Sequence, residues 1–264
     1  MPVFMLTLES GFFCVVFHLC TLYLEFGPKL VVNSTQWTHG TWNSYFLSLA
    51  EGKSPDVYWF KTVEVNEQKW TLGDYRRAVR ELLRPCALLR HEVRRVKEQI
   101  GRPYTALFVR RGDKIMSGEA NFISMSEILS HVTYDDTTVF FIQTDDYAVV
   151  EETRALLPNH TIHCTVPPTK RGSYHSRQYD QAVSIPWKEK SREDGQTETL
   201  EMLTGLFVCL GAEQCWTDET SNVGRFLKLY DDRVHVYPND YTVDESLHVH
   251  PAWRIREQTT SHVL

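Results

Sequence analysis

The stretch YTALFVRRGDKIMSGEANF, residues 104–122, decides the fold prediction. Its first part, residues 105–109, is an apolar run of β-branched and aromatic character that breaks abruptly into Arg110 and Arg111. Such a run predicts a buried strand with charged residues directly after its carboxyl end. In open α/β sheets, ligands bind in the crevice beyond the carboxyl ends of the strands. The stretch therefore predicts an α/β fold with a binding site at this strand end.

The residue types at this strand end suit an anion with several oxygens. A guanidinium is always charged and donates hydrogen bonds in a planar fork. Glu119 follows a few residues later, on a loop that contains Gly118. Arginines beside a carboxylate can hold a diphosphate leaving group and deprotonate a hydroxyl. The alternative is an ordinary charged surface, because strand ends reach water and exposed ion pairs contribute little to stability.

Two later segments point to the same crevice. Residues 139–143, VFFIQ, predict a second buried strand, and Asp145 and Asp146 follow it before a predicted helix. Ser221 is a good N-cap residue for a helix over residues 221–230. The free amides at the start of that helix would face the crevice and attract phosphate. The alternative for this segment is a plain capped helix.

The beginning of the chain predicts a smaller βαβ unit. An apolar run at residues 3–8 is followed by a helix over residues 11–24 and a strand over residues 29–32. This order of elements implies parallel strands. The turn at Gly11 is a candidate phosphate-side loop, although it does not match the GxGxxG fingerprint.

The middle of the chain contains two connecting regions. Residues 71–100 are helical in composition, Pro85 is expected to kink or divide them, and their arginines predict a solvated face. Residues 101–103, Gly-Arg-Pro, predict the hinge to a second half. Residues 167–196 have few aliphatic side chains and predict a mobile connection. An apolar helix is expected over residues 197–210.

The composition of the chain limits the classes of function that it could have. The chain has 264 residues, 42% of them hydrophobic, enough for one large α/β domain or two small ones. Its net charge of −6 disfavours a general nucleic-acid role. Six scattered cysteines without a CxxC pair predict no zinc site and fit a reducing compartment. The apolar run at residues 11–24 is short for a bilayer of about 30 Å and predicts a buried helix, with membrane anchorage as the alternative.

The order of these motifs resembles the GDP-fucose-dependent fucosyltransferases of the core α1,6 type, together with the nodulation and protein O-fucosyltransferases. VRRGDK at residues 109–114, followed by GEANF at residues 118–122, is similar to the family pattern HVRRTDK with Glu-Ala-Ala-Phe shortly after. QTDD at residues 143–146 is similar to ATDD, and TSNVGR at residues 220–225 is similar to SSQVCR. The resemblance covers about residues 10–237 in order.

The resemblance implies an α/β fold of the GT-B glycosyltransferase type, with two Rossmann-like halves facing a central cleft. Residues 1–100 would form the acceptor side, residues 101–240 the nucleotide-sugar-binding half, and residues 241–264 a tail that packs back. The implied activity is inverting transfer of fucose from GDP-fucose to a glycan hydroxyl, without a metal ion or another cofactor. Because the family's stem, anchor and SH3-like domain are not recognised, a bare enzyme of the bacterial or large-virus kind, working in the cytoplasm, is expected.

The resemblance also implies roles for single residues. Glu119 matches the base that takes the proton of the acceptor hydroxyl, and Lys114 would orient its carboxylate. Arg110 matches the group that binds the β-phosphate and offsets the charge on the leaving diphosphate. Arg111 points to the other side of the strand and is expected to brace Asp113 or the loop. Further nucleotide-sugar contacts are expected from Arg111, Asp113, Asp145, Asp146, Ser221, Asn222, Gly11 and His39.

Four departures from the family pattern bear on the donor. Phe108 replaces a histidine that contacts the nucleotide, and His39 replaces a tyrosine. Gly205 stands where the family has the aspartate that reads guanine, and Glu201, one helical turn earlier, is a candidate substitute. The loop at residues 114–119 is one residue longer. These differences keep two alternatives open: the same scaffold with a different nucleotide sugar, and a nucleotide- or carbohydrate-binding protein without catalysis.

Overall fold

Two parallel β-sheets organise the chain. The computed structural model describes residues 2–6, 12–53, 57–59, 63, 69–111, 122–170, 191–218 and 221–251. The first sheet has the strand order β3-β2-β1-β4, and all of its pairings are parallel. Its strands are β1 (Val3–Met5), β2 (Val31–Asn33), β3 (Ala50–Glu51) and β4 (Val57–Trp59). The sequence did not predict β3, which is only two residues long and exposed.

The second sheet is also parallel and has the strand order β7-β6-β5-β8-β9. Every residue of β5 and β6 is buried, as expected for central strands of a parallel sheet covered on both faces. The strands are β5 (Thr105–Val109), β6 (Phe140–Thr144), β7 (Ile162–Cys164), β8 (Gln214–Asp218) and β9 (His235–Tyr237). The predicted α/β fold with two Rossmann-like halves is therefore confirmed.

Seven α-helices in the described part of the chain cover these sheets. They are α1 (Phe12–Phe26), α2 (Leu72–Leu82), α3 (Ala87–Ile100), α4 (Met125–His131), α5 (Ala148–Leu156), α6 (Arg192–Cys209) and α7 (Asn222–Tyr230). Helix α1 is apolar on all sides, and its residues 12–22 are all buried. A helix without a polar face is stable in the interior of a protein. Among the helices that the structure describes, none combines the length and apolar character needed to cross a membrane.

Local sequence signals set several helix boundaries. Pro85 divides the helical region as predicted, since α2 ends at Leu82 and α3 begins at Ala87. Thr71 starts α2 with a capping box, in which the Thr71 hydroxyl and the Asp74 carboxylate each bind the other's backbone N–H. Gly101 ends α3 with φ at 71°, the left-handed conformation that glycine adopts without strain.

Helix α6 begins earlier than predicted. Ser191 caps it: its hydroxyl accepts the N–H of Asp194 at 3.1 Å and donates to the Asp194 carboxylate at 2.6 Å. Residues 192–196 are therefore helical, and the prediction of a mobile connection is wrong for them. Residues 171–190, the rest of that predicted connection, lie outside the described part.

One hydrophobic core joins the elements of both sheets. Phe13 of α1 packs on Phe226 of α7, with ring centroids 4.7 Å apart. Residues 241–251 return to α2, where the N–H groups of Leu72 and Gly73 donate to carbonyls of that segment at 2.8 and 3.0 Å. The division into residues 1–100, 101–240 and 241–264 stays a prediction.

Candidate functional site

The carboxyl edge of the second sheet brings together charges from neighbouring strands. Arg110 follows β5 and Asp145 follows β6, and these strands pair in parallel register. The Nε atom of Arg110 lies 3.8 Å from Oδ2 of Asp145. The Arg110 side chain is 27% exposed, so it is partly accessible at the edge of the sheet.

Asp145 ties the ends of these two strands together. Its Oδ1 atom accepts the backbone N–H of Arg111 at 2.7 Å, while Oδ2 faces Arg110. One carboxylate therefore fixes the backbone after β5 and also holds the Arg110 guanidinium at the edge. This geometry makes Asp145 a positioning group for Arg110.

Arg111 turns away from Arg110 and braces the protein. Its guanidinium donates to both carboxylate oxygens of Glu152 at 3.3 and 3.1 Å and to the carbonyl of Ile123 at 3.0 Å. It also lies over the ring of Phe122, 4.1 Å from the centroid. The residue is only 7% exposed. The geometry favours the bracing role, with Glu152 as the partner, over direct contact with a nucleotide.

Asp146 has a local structural role at the start of α5. Its carboxylate accepts the N–H of Ala148 at 2.9 Å, and its own N–H donates to the hydroxyl of Thr144 at 3.1 Å. The residue is 7% exposed. Asp146 therefore stabilises the turn between β6 and α5. Its neighbour Asp145 is the residue that faces Arg110.

The start of α7 lies at the same edge of the sheet. The Ser221 hydroxyl accepts the N–H of Gly224 at 3.1 Å, and the Asn222 side chain accepts from Arg225 at 2.6 Å. Thr217 of β8 pairs with Phe108 of β5, and α7 begins at Asn222, after the carboxyl end of β8. Because adjacent parallel strands end at the same edge of a sheet, the start of α7 is on the side of the sheet where Arg110 follows β5.

His39 links the first half to α6. Its Nδ1 atom lies 2.7 Å from the Thr199 hydroxyl, which itself donates to the carbonyl of Gly195 at 2.7 Å. Nδ1 must therefore carry the hydrogen. The ring packs against Phe12 and Trp37, with centroids 5.6 and 5.1 Å away. His39 is 5% exposed, at the junction between α6 and the first turn of α1.

Four predicted site residues lie outside the described residues. They are Glu119, Lys114, Asp113 and Gly11. The assignments of Glu119 as the catalytic base and Lys114 as its orienting partner stay predictions. The residues on either side of this segment are described. Arg111 precedes it and contacts Phe122 and Ile123, which follow it.

The structure adds Asp218 and Tyr237 to the charged edge. They end β8 and β9, are paired in register, and are 7% and 3% exposed. Burial and then the Asp218 carboxylate raise the pKa of Tyr237, while Arg111 acts in the opposite direction. The available signal for Asp218 was an acid at the end of a strand, Gln214–Asp218, similar to the one that identified Asp145. Tyr237 carried no comparable signal.

A separate groove lies at the opposite ends of the helices. It has a volume of about 870 Å³ and runs between α3, the end of α6 and Tyr230 of α7. One of its basic residues, Arg90, donates to the carbonyl of Pro85 at 2.7 Å. Cations at helix carboxyl ends offset the partial negative charge there. The groove is therefore distinct from the arginine edge.

The two sheets and the charged edge define a class of protein. Two parallel α/β halves in one chain are the arrangement of the GT-B fold. The GT-B prediction is confirmed.

Several solved structures of fucosyltransferases have a similar fold. The chain is similar to the fucosyltransferase NodZ from Bradyrhizobium, with a TM-score of 0.53 and 11% identity over 89% of this chain and 93% of that one. A NodZ α1,6-fucosyltransferase soaked with GDP-fucose gives 0.51 and 12% over 87% and 92%. NodZ co-crystallized with GDP gives 0.52 and 12% over 89% and 93%. No protein-family model matches the chain, and no curated protein matches it.

Proposed function

We propose that this protein is an inverting, metal-independent glycosyltransferase that moves fucose from GDP-fucose to a glycan hydroxyl. The observation that carries the proposal is the 27% exposed Arg110 side chain, which follows β5 at the carboxyl edge of the second sheet. The fold supports it, because its structural neighbours include NodZ structures soaked with GDP-fucose and co-crystallized with GDP.

Donor binding would use Arg110 and the first turn of α7. The planar fork of N–H donors on the Arg110 guanidinium would bind oxygens of the diphosphate. The amides at the start of α7 would bind further phosphate oxygens. Asp145 would keep the guanidinium at the edge while the donor enters.

The transfer step would proceed by direct displacement. The acceptor hydroxyl attacks the anomeric carbon from the face opposite the diphosphate, and the Glu119 carboxylate takes its proton. As the new bond forms, the bond from carbon to the β-phosphate oxygen breaks and its electron pair remains on that oxygen. Arg110 and the helix amides would stabilise this developing charge, and Lys114 would orient Glu119.

The test compares Arg110→Ala with Glu119→Gln. We expect Arg110→Ala to weaken GDP binding and to lower turnover of GDP-fucose by about 100-fold or more, since it removes charge stabilisation. Glu119→Gln should lose turnover and keep GDP binding, because it removes only the base. Calorimetry with GDP and release of GDP from GDP-fucose measure the two properties.

Arg95→Ala is the matched control, because Arg95 lies on the exposed face of α3 and pairs with Glu92 at 2.9 Å. It should leave both binding and turnover unchanged. Equal and modest effects of Arg110→Ala and Glu119→Gln on both properties would remove the proposed assignment.

A second candidate function is transfer from another nucleotide sugar on the same scaffold. It is favoured by Phe108 and Gly205, which offer no polar side chain for a base. A thermal-shift panel of nucleoside diphosphates separates the two candidates, since stabilisation by UDP rather than GDP rejects GDP-fucose as the donor. GDP binding without hydrolysis or transfer would instead support a non-catalytic binding protein.

A further inference from the structure

The groove between α3, the end of α6 and the end of α7 has an apolar side that stays partly accessible. It is lined by Val93, Leu210 and the aromatic pair Phe207 and Tyr230, and all four side chains are half-buried. The two rings of the pair meet edge to face, with centroids 6.1 Å apart. The volume of about 870 Å³ is that of a ligand site. Accessible apolar surface of this kind marks places where proteins bind partners.

A row of three cations lines the same groove. Arg90, Arg94 and Lys97 are four and three residues apart, which places them on one face of α3. Arg90 donates to the carbonyl of Pro85 at 2.7 Å. Within the ranges that the structure describes, none of the three forms an ion pair with a carboxylate. The groove therefore presents positive charge without internal compensation, on a chain whose net charge is −6.

Gly211 gives the third cation its place in the groove. A Cβ atom added at Gly211 would lie 1.8 Å from Nζ of Lys97, so the ammonium group lies directly against the backbone after α6. The carboxyl end of a helix carries partial negative charge, which favours a cation there. Lys97 thus lies at the α6 side of the groove, while Arg90 lies at the Pro85 end.

The spacing of the cations selects a ligand with several negative charges. At a rise of 1.5 Å per residue, Arg90 and Lys97 are about 10 Å apart along α3. One carboxylate or phosphate group cannot contact charges that far apart. In an extended peptide, alternate side chains lie on one side about 6.7 Å apart, and the intervening ones face the other side. Acidic residues at alternate positions would follow the cations, and apolar residues between them would face Phe207 and Leu210.

One carboxylate limits where the acidic residues can lie. Glu98 also lines the groove, one residue beyond Lys97. It would repel an acidic side chain beside it, because like charges close together are unfavourable. The acidic residues of the ligand are therefore expected opposite residues 90–97.

We propose that this groove binds an acidic, extended segment of a partner protein. Carboxylates of the segment pair with Arg90, Arg94 and Lys97, and its apolar side chains pack on the accessible side of the groove. The groove lies at the opposite end of β5 from Arg110, since Gly101, which also lines it, precedes that strand. The partner would therefore bind without covering the arginine edge, and the inference does not depend on the proposed function.

The experiment measures fluorescence anisotropy of labelled peptides added to the whole protein. The probe is Glu-Leu-Glu-Leu-Glu flanked by glycines, and we expect it to bind with an affinity that falls as salt screens the charges. Gln-Leu-Gln-Leu-Gln removes the charge and Glu-Ser-Glu-Ser-Glu removes the apolar contacts. Each should bind about tenfold or more weakly.

Charge reversal in the groove tests the site. Arg94→Glu and Lys97→Glu should each weaken binding of the Glu-Leu probe by about tenfold or more. Arg95→Glu is the matched control: it makes the same charge change on the same helix, but Arg95 is outside the groove lining and pairs with Glu92 at 2.9 Å. Its effect should stay within about twofold, because exposed ion pairs contribute little. GDP binding, measured by calorimetry, should be the same in Arg94→Glu as in the wild type.

Several results would overturn the inference. They are no binding of the Glu-Leu probe to the wild type, equal binding of the Gln-Leu probe, and equal weakening by Arg95→Glu. Tighter binding of oligouridylate or of phosphatidylserine vesicles, with the same dependence on Arg94, would assign the groove to a nucleic acid or a membrane and would also overturn it. Failure of GDP to bind the wild type would overturn only the proposed function, since the peptide measurement does not involve a nucleotide.

Discussion

Adjacent arginines at the end of β5 have different environments. The Arg110 side chain is 27% exposed beside Asp145, whereas the Arg111 side chain is 8% exposed and pairs with Glu152. The alternation of side chains along an extended backbone separates them. Arg110 is therefore the more accessible of the two, and Arg111 the one with the buried bracing contacts.

Arg76 shows how a surface charge in the sequence can become a buried anchor. Its Nε donates to the carbonyl of Leu229 at 2.8 Å, near the end of α7, and its Nη1 pairs with Glu245. The residue is 8% exposed. The predicted solvated face of α2 is wrong at this position, because α7 and the returning segment cover it.

Replacing Arg76 by alanine should lower the free energy of unfolding by about 2 kcal/mol. The change removes a guanidinium that satisfies a helix carboxyl end and a carboxylate, and it leaves both uncompensated. Arg77→Ala, whose side chain is 71% exposed, should stay within about 0.5 kcal/mol of the wild type. Urea denaturation measures both. Equal losses would show that Arg76 is not an anchor.

At the scale of elements, α6 connects the two halves. Its first turns contact the loop of the first half: Arg192 donates to the carbonyl of Gly40 at 3.0 Å, and Thr199 meets His39. Its later turns cover β5 and β6. The helix therefore positions the first half relative to the arginine edge.

Gly195→Ala should destabilise the protein by about 1–3 kcal/mol. In an isolated helix this change would favour folding by about 1 kcal/mol. Here the new Cβ would lie 2.2 Å from the backbone carbonyl oxygen of Thr38, which cannot move without shifting the loop.

Gly211→Ala is the control for this variant. Its Cβ would clash with the flexible end of Lys97 and lie at an ordinary contact distance of 3.5 Å from the carbonyl oxygen of Phe207, so a change within about 0.5 kcal/mol is expected. Thermal unfolding of the two variants measures the difference. A Gly195 variant as stable as the wild type would contradict the close docking of α6.

At the scale of the whole molecule, the segment after β9 closes the core. His250 is fully buried, with its ring 4.9 Å from that of His18 and 5.4 Å from that of Tyr75. Val249 is 1% exposed beside it. The end of the described chain therefore belongs to the interior and packs on α1 and α2.

Acidification should destabilise the protein through His250. Burial, and then neighbouring His18, lower the pKa of His250 from 6.5 to about 3. The unfolded chain then binds more protons than the native protein, so stability is complete above about pH 6.5 and falls as the pH drops toward about 3. His250 alone accounts for a loss of about 2 kcal/mol between pH 7 and pH 5.

Denaturant unfolding at several pH values tests this expectation. His250→Phe should flatten the dependence of stability on pH between 7 and 5, whatever its stability at pH 7. His91→Gln is the control, because the His91 side chain is 71% exposed and should leave the slope unchanged. An unchanged slope in His250→Phe would assign the acid sensitivity to other groups.

The sequence by itself determined the elements that depend on local chemistry. The apolar runs of β5 and β6, the N-cap at Ser221 and the break at Pro85 each need only neighbouring residues, and all are present. Strand-end position also identified Arg110 and Asp145 as candidates, because charge directly after a buried strand lies at the ligand edge.

The burial of individual charges followed from the packing of distant segments. The burial of Arg76, the contact of Gln143 with Gly205 and the pairing of Asp218 with Tyr237 each join segments far apart in the chain. Such contacts depend on sheet order and helix packing, which a linear pattern does not contain. The physical reason is that burial and hydrogen bonding are properties of three-dimensional neighbours, whereas the sequence displays only neighbours along the backbone.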